Sequence, residues 1–233
     1  HFLKLLDKVV DFSFVNELCR DAYTLDFGRP AYGPEMMFKI LFLQFLYDIS
    51  DRRIEEEVNF NLVLKWFVGL TIDESPPDSS SLTRFRDRLG EERFVRIFNQ
   101  IVELAREKGL ISDRLSIVDS THVKAKVDTF KIKDNPGASP DKDARHGYKS
   151  KKKPFFGYKA HASMDADSEL ITKLDTTPAN THDGEEFPKV VDTQSRMTTA
   201  DKAYDSNKNH RLLKRERTTS AIIIKKNRKS PRL

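Results

Sequence analysis

Near residue 112 the spacing of apolar residues changes from a helical period to a period of two, and no other feature constrains this 233-residue chain as much. Helices and strands bury their faces at different intervals, so a lasting change of period marks a change of architecture. On the N-terminal side, Gly33-Pro34 opens a helix, with proline where its missing N–H costs nothing. Met36 to Tyr47 is apolar almost all round, as in a helix at the centre of a small bundle. Ser50 caps a helix carrying Ile54 and Val58, and Asn61 to Val68 forms another that Gly69 stops. After Pro76-Pro77, Asp78 or Ser79 caps Ser80 to Leu89. Phe94, Ile97, Phe98, Ile101 and Ala105 then mark one face of Glu91 to Lys108, which Gly109 ends. Residues 1–112 are expected to be an α-helical domain, with Trp66 and the Phe residues in its core.

Strands follow at Ser116 to Val123, Phe155 to Met164, Leu170 to Thr176, Met197 to Ala200 and Ala221 to Lys225. Asp165-Ala-Asp-Ser168 joins the second and third as a hairpin, and helices are expected at Asp183 to Val191 and Asn207 to Glu216. Thr129 to Lys153, rich in Lys, Asp, Pro and Gly, reads as a long loop. The second domain thus spans 113–233 in the order β-β-β-α-β-α-β, with a basic loop at 124–154. The fold class is α+β or α/β.

A single cysteine, Cys19, excludes an internal disulfide and a cysteine-based zinc cluster. The most apolar stretch, Met36 to Tyr47, is well short of the roughly 18 residues that span a bilayer, so no membrane partner is expected. Because the chain begins with His1, its natural N-terminus is expected to lie upstream. Charge is uneven. Residues 202–233 hold eleven Lys/Arg against Asp205 and Glu216, a net of +9 that leaves 1–201 at −4. Arg145 to Lys159 adds six Lys/Arg, with no acid between Asp143 and Asp165. Such asymmetry fits a polyanionic partner, and equally a solvated charged face.

Asp119 lies inside the strand Ser116-Ile-Val-Asp-Ser-Thr-His-Val123. A carboxylate buried there needs a hard metal ion such as magnesium or manganese, or else a salt bridge. Asp201 ends the strand Met197 to Ala200, at the carboxyl end where α/β folds place their sites, whereas Asp205 reads as a helix cap. Two aspartates on separate strands of a basic chain suggest metal-assisted phosphoryl chemistry. Arg84 and Arg88 share a helix face and would contact phosphates or pair with nearby acids. Lys151, Lys152 and Lys153 precede Phe155-Phe156 and would grip a DNA backbone or form a solvated loop.

These segments together resemble bacterial insertion-sequence transposases of the large DDE class, the insertion sequence four/five group. The resemblance rests on Tyr32 to Ile40, Trp66-Phe-Val-Gly-Leu70 and Pro77 to Leu89 in the helical half. In the second half it rests on Val118-Asp-Ser-Thr-His-Val123, Gly157-Tyr-Lys-Ala-His161, Pro178-Ala-Asn-Thr-His-Asp183 and Ala200-Asp-Lys-Ala-Tyr-Asp-Ser206. It implies an RNase H-like catalytic domain, with Asp119 and Asp201 as its first and second carboxylates, holding Mg2+ or Mn2+. It also implies a third carboxylate, a glutamate on the helix after strand five. Glu216 precedes that strand and does not take the role, so the chain is expected to be truncated at both ends and to lack its last helix. Double-stranded DNA (transposon ends and target) is the implied partner, contacted by Arg84, Arg88, Lys151, Lys152, Lys153, Lys159 and Lys202, with the chain acting as a homodimer on DNA. The implied location is the bacterial cytoplasm, at the nucleoid. The alternatives are a non-catalytic DNA-binding remnant and a nuclease of the same fold.

Overall fold

The computed structural model describes residues 1–23, 31–128, 139–150 and 153–226, in two compact units, His1–Leu104 and Ala105–Leu233. The first unit holds α1 (Phe2–Val9), α2 (Phe14–Leu18), α3 (Pro34–Tyr47), α4 (Asp51–Phe60), α5 (Leu62–Val68) and most of α6 (Ser79–Glu107). Local chemistry sets these boundaries. The Ser50 hydroxyl accepts from the Arg53 N–H at 3.3 Å, and Asn61 Oδ1 accepts from Val63 and Leu64. Gly69, at φ 84°, ends α5, and Gly90 breaks the long α6 with φ 61° and ψ −180°, a conformation reserved for glycine.

The helical core gathers Leu3, Phe12, Ile40, Leu43, Ile54, Val58, Phe67, Leu82 and Ile97. Trp66, expected in that core, is instead 46% exposed. Phe67, about 100° further round the helix, takes the inward position. Phe45 and Phe60 also point outward, at 75% and 83% exposure, so the last turns of α3 and α4 are not central to the bundle.

The second unit is a mixed sheet of β1 (Leu115–Lys124), β2 (Arg145–Ser150), β3 (Lys153–Asp165), β4 (Ile171–Pro178), β5 (Met197–Ala200) and β6 (Thr219–Ser220). Its helices are α7 (Asp183–Val190) and α8 (Asn207–Arg215). β3 pairs antiparallel with β1, β2 and β4, while β1, β5 and β6 are parallel. Without β2 the order is β4-β3-β1-β5-β6, the mixed sheet of an RNase H-like domain. Val118, Ala200 and Ile222 pack against Phe187 and Val190 of α7 and Leu213 of α8. The Arg106 guanidinium is held by Asp113 at 3.0 Å and by the buried Asp192.

Two expectations need correction. Part of the expected loop is β2, which pairs with the early residues of β3. Its strand pattern is masked by charge, and Gly147 allows the backbone to approach Ala179, whose carbonyl would lie 2.5 Å from any Cβ there. The last strand begins two residues earlier than expected, at Thr219. Its parallel hydrogen bonding continues beyond β6, from Ala221 N–H to the Thr198 carbonyl and from Ile223 N–H to the Ala200 carbonyl. The helix implied after this strand lies outside the described residues.

Candidate active site

The parallel pairing of β1 with β5 ends at Val118 opposite Ala200; Asp119, in the middle of β1, and Asp201, just past the end of β5, each follow that last pair. Val118 is buried, and the pleat turns Asp119 to the other face, where it is exposed. The sequence argument for Asp119 rested on a buried carboxylate, and that premise does not hold. Its place inside the strand does, in the middle of β1. Asp119 accepts only from the adjacent Ser120 N–H, at 2.8 Å, and Asp201 caps the 3-10 turn Lys202–Tyr204 by accepting from the Ala203 N–H at 2.7 Å. Among the described residues neither forms an ion pair. Two carboxylates, oxygen-only donors, suit a magnesium-type ion, which keeps several waters and takes one or two protein carboxylates. Among the described residues no cluster of three metal-ligating side chains forms.

Around β3 lies a polar network whose pairing sequence reasoning missed. Lys159 Nζ donates to Asp183 Oδ1 and to the Thr181 carbonyl, both at 2.8 Å. Its side chain is only 13% exposed, so this lysine is neutralised within the domain and is not offered to a phosphate. His161, fully buried on the same strand, shares a 2.9 Å hydrogen bond with the Thr177 hydroxyl. Tyr204 is buried with its ring 5.8 Å from that of Phe187. Burial pushes its phenol well above the usual tyrosine range, and the charges of Asp183, Asp119 and Asp201 push it further. Ser120 lies beside the hydroxyl, yet no hydrogen bond of normal geometry forms. The one sequence signal for this residue was its place in the turn just after Asp201.

The remaining candidates are scattered. Lys202 is exposed at the start of the turn, and Lys153 is exposed at the start of β3, while Lys151 and Lys152 lie outside the described residues. In the helical unit, Arg84 donates to the Ser81 hydroxyl at 3.0 Å and approaches Asp78 at 3.7 Å rather than the acids further along α6. The Arg88 guanidinium lies 4.6 Å over the ring of Tyr23. Both arginines line a cavity of about 290 Å3 with Tyr23, Tyr32 and Phe85.

Residues 1–88 match a family described as a transposase domain (DUF772), and residues 111–232 match the transposase DDE domain, which takes in both aspartates and every strand of the sheet. The chain belongs to the DDE transposase family. A cryo-EM structure of the piggyBac transposase synaptic complex with hairpin DNA is similar over 94% of this chain, at 12% identity and a TM-score of 0.39. The match covers 48% of that chain, so this DDE transposase sequence spans about half the length of the chain it matches.

Proposed function

We propose that this chain carries the aspartate pair of an enzyme that cuts DNA at insertion-sequence ends and joins the freed ends to a target. The observation that supports it most is the placement of Asp119 and Asp201, each one residue beyond the Val118–Ala200 pair and, among the described residues, without an ion pair. Asp119 and Asp201 hold the divalent ion, magnesium or manganese. Such an ion lowers the pKa of a coordinated water and stabilises charge on a leaving oxygen. Asp119 comes from β1 and Asp201 from the turn that follows β5, the neighbouring parallel strand. Lys202, next to Asp201, and Lys153 contact phosphates, as do Arg84 and Arg88 of the helical unit. Two copies act together on paired ends in the bacterial cytoplasm.

The test is nicking of a labelled transposon-end duplex with Mg2+ or Mn2+. Metal-dependent cutting is expected, and Asp119→Asn or Asp201→Asn is expected to lower its rate by at least about a thousandfold. Cutting that survives either substitution overturns the assignment.

A further inference from the structure

The β2–β3 hairpin offers solvent a different aromatic ring from the two beside the lysine run. Phe155 and Phe156 are buried, at 8% and 5% exposure, so neither is free to stack on a base. Phe155 meets the His122 ring edge-on at 4.6 Å, and Phe156 meets that of His146 at 4.9 Å. Tyr148, paired with Pro154 across the hairpin, is 66% exposed. Strands favour tyrosine for the area it packs, yet this ring leaves most of its area in water.

Alternation along the strands places that ring on a definite face. Asp119, Thr121 and Val123 share one face of β1. Val123 pairs with Tyr158 of β3, which packs with Phe156 in one small cluster. Phe156 meets His146 of β2, and Tyr148 follows two residues later on the same face. Asp119 and Thr121 at one end, and His146 and Tyr148 at the other, are all exposed, so this face meets solvent at both ends. Asp119 pairs with Ala162 and Tyr148 with Pro154, eight residues apart on β3. That is about 26 Å along the strand, at roughly 3.3 Å per residue. B-DNA rises roughly 3.4 Å per base pair, so the span covers about eight base pairs.

The hairpin is also cationic. Arg145 and Lys153 are exposed, and no acid falls between Asp143 and Asp165. Arg145 Nη1 donates to the Lys142 and Ala144 carbonyls at 2.5 and 2.8 Å, which fixes the guanidinium without neutralising it. Asp141 is occupied by the Tyr158 hydroxyl at 2.5 Å and the Ala144 N–H at 3.0 Å. A two-stranded ribbon fits a DNA groove, cations neutralise phosphates, and an aromatic ring lies against base faces.

Resting on the DNA-cutting reading above, we infer that the β2–β3 hairpin is a second docking point for the same duplex. Arg145 and Lys153 take its phosphates and the Tyr148 ring lies against its bases, about eight base pairs from the phosphate that the aspartates address.

The test uses the 233-residue chain and a labelled transposon-end duplex, with thermal melting of every variant alongside. Tyr148→Ala is expected to melt with the parent, since the ring is exposed, and to bind about tenfold more weakly at every salt concentration. Tyr148→Phe is expected to bind like the parent. Arg145→Gln together with Lys153→Gln is expected to flatten the slope of log affinity against log salt by about 2. Unchanged affinity in Tyr148→Ala, or an unchanged slope in the double variant, overturns the proposal while the parent still binds. A parent that binds no duplex overturns the DNA reading itself. Placement is read separately, with p-azidophenylalanine at position 148, which keeps a ring there should Tyr148→Ala not fold. Light-induced crosslinks are expected about eight base pairs from the metal-dependent cut, and crosslinks at the cut, or none, overturn the role of the hairpin. Crosslinks to a duplex that is never cut overturn the aspartate assignment and leave the hairpin in place.

Discussion

His161 shows what burial does to one titratable side chain. It is fully buried, and that burial lowers its pKa below the ordinary 6.5, against the opposing charges of Asp183 and Glu186. The folded chain therefore keeps the ring neutral at a pH where the unfolded chain takes up a proton. Stability should be complete above 6.5 and fall as pH drops below it toward the lowered folded value. Urea midpoints measured from about pH 7.5 to 5.5 should decline for the parent, and His161→Gln should flatten that decline. Individual residues were legible unevenly. Asp119 stood out because it lies inside an apolar strand and Asp201 because it ends one, although the argument from a buried carboxylate fails for Asp119. Lys159 read as a DNA-facing cation because its partner, Asp183, is 24 positions away and leaves no local trace. The unfilled hydroxyl of Tyr204 was invisible for the same reason, since only tertiary packing defines it.

Among the elements, β3 depends on a single glycine. Gly157 has φ 152°, and a Cβ there would lie 2.1 Å from the Val123 carbonyl and 2.7 Å from the Ala125 nitrogen. The obstacles are backbone atoms of the paired strand, so no side-chain rotation relieves them. Gly157→Ala should cost on the order of 3 kcal/mol or more, read as a lower urea midpoint with an unchanged slope. Helices were the most legible elements because their ends are written in caps. Ser50, Asn61, Gly69 and Gly90 all act where the sequence places them. β2 was not legible, because its charged residues hide the alternation and its pairing depends on β3. The inward choice between Trp66 and Phe67 was also hidden, since both fit a short helix and only the neighbouring helices decide.

For the whole molecule, charge and order along the chain matter more than any single contact. The net +5 is the balance of a strongly cationic end and a mildly anionic remainder, so duplex binding should be mainly electrostatic. The slope of log affinity against log salt should be steeper than about −4, from about five neutralised phosphates. Fluorescence anisotropy across about 50–300 mM salt measures it, and a slope near zero would remove DNA as the partner. The parallel pairing of β1 with β5 also has a meaning in time. Asp119 and Asp201 are 82 positions apart, an interval of about 4–16 s at a ribosomal rate of roughly 5–20 residues per second. Through those seconds the first aspartate has no neighbour, because the strand that brings the second has yet to be made. The helical unit is by then wholly synthesised. Translation thus delivers the helical half first and withholds the aspartate pair until nearly the last of these residues has been added.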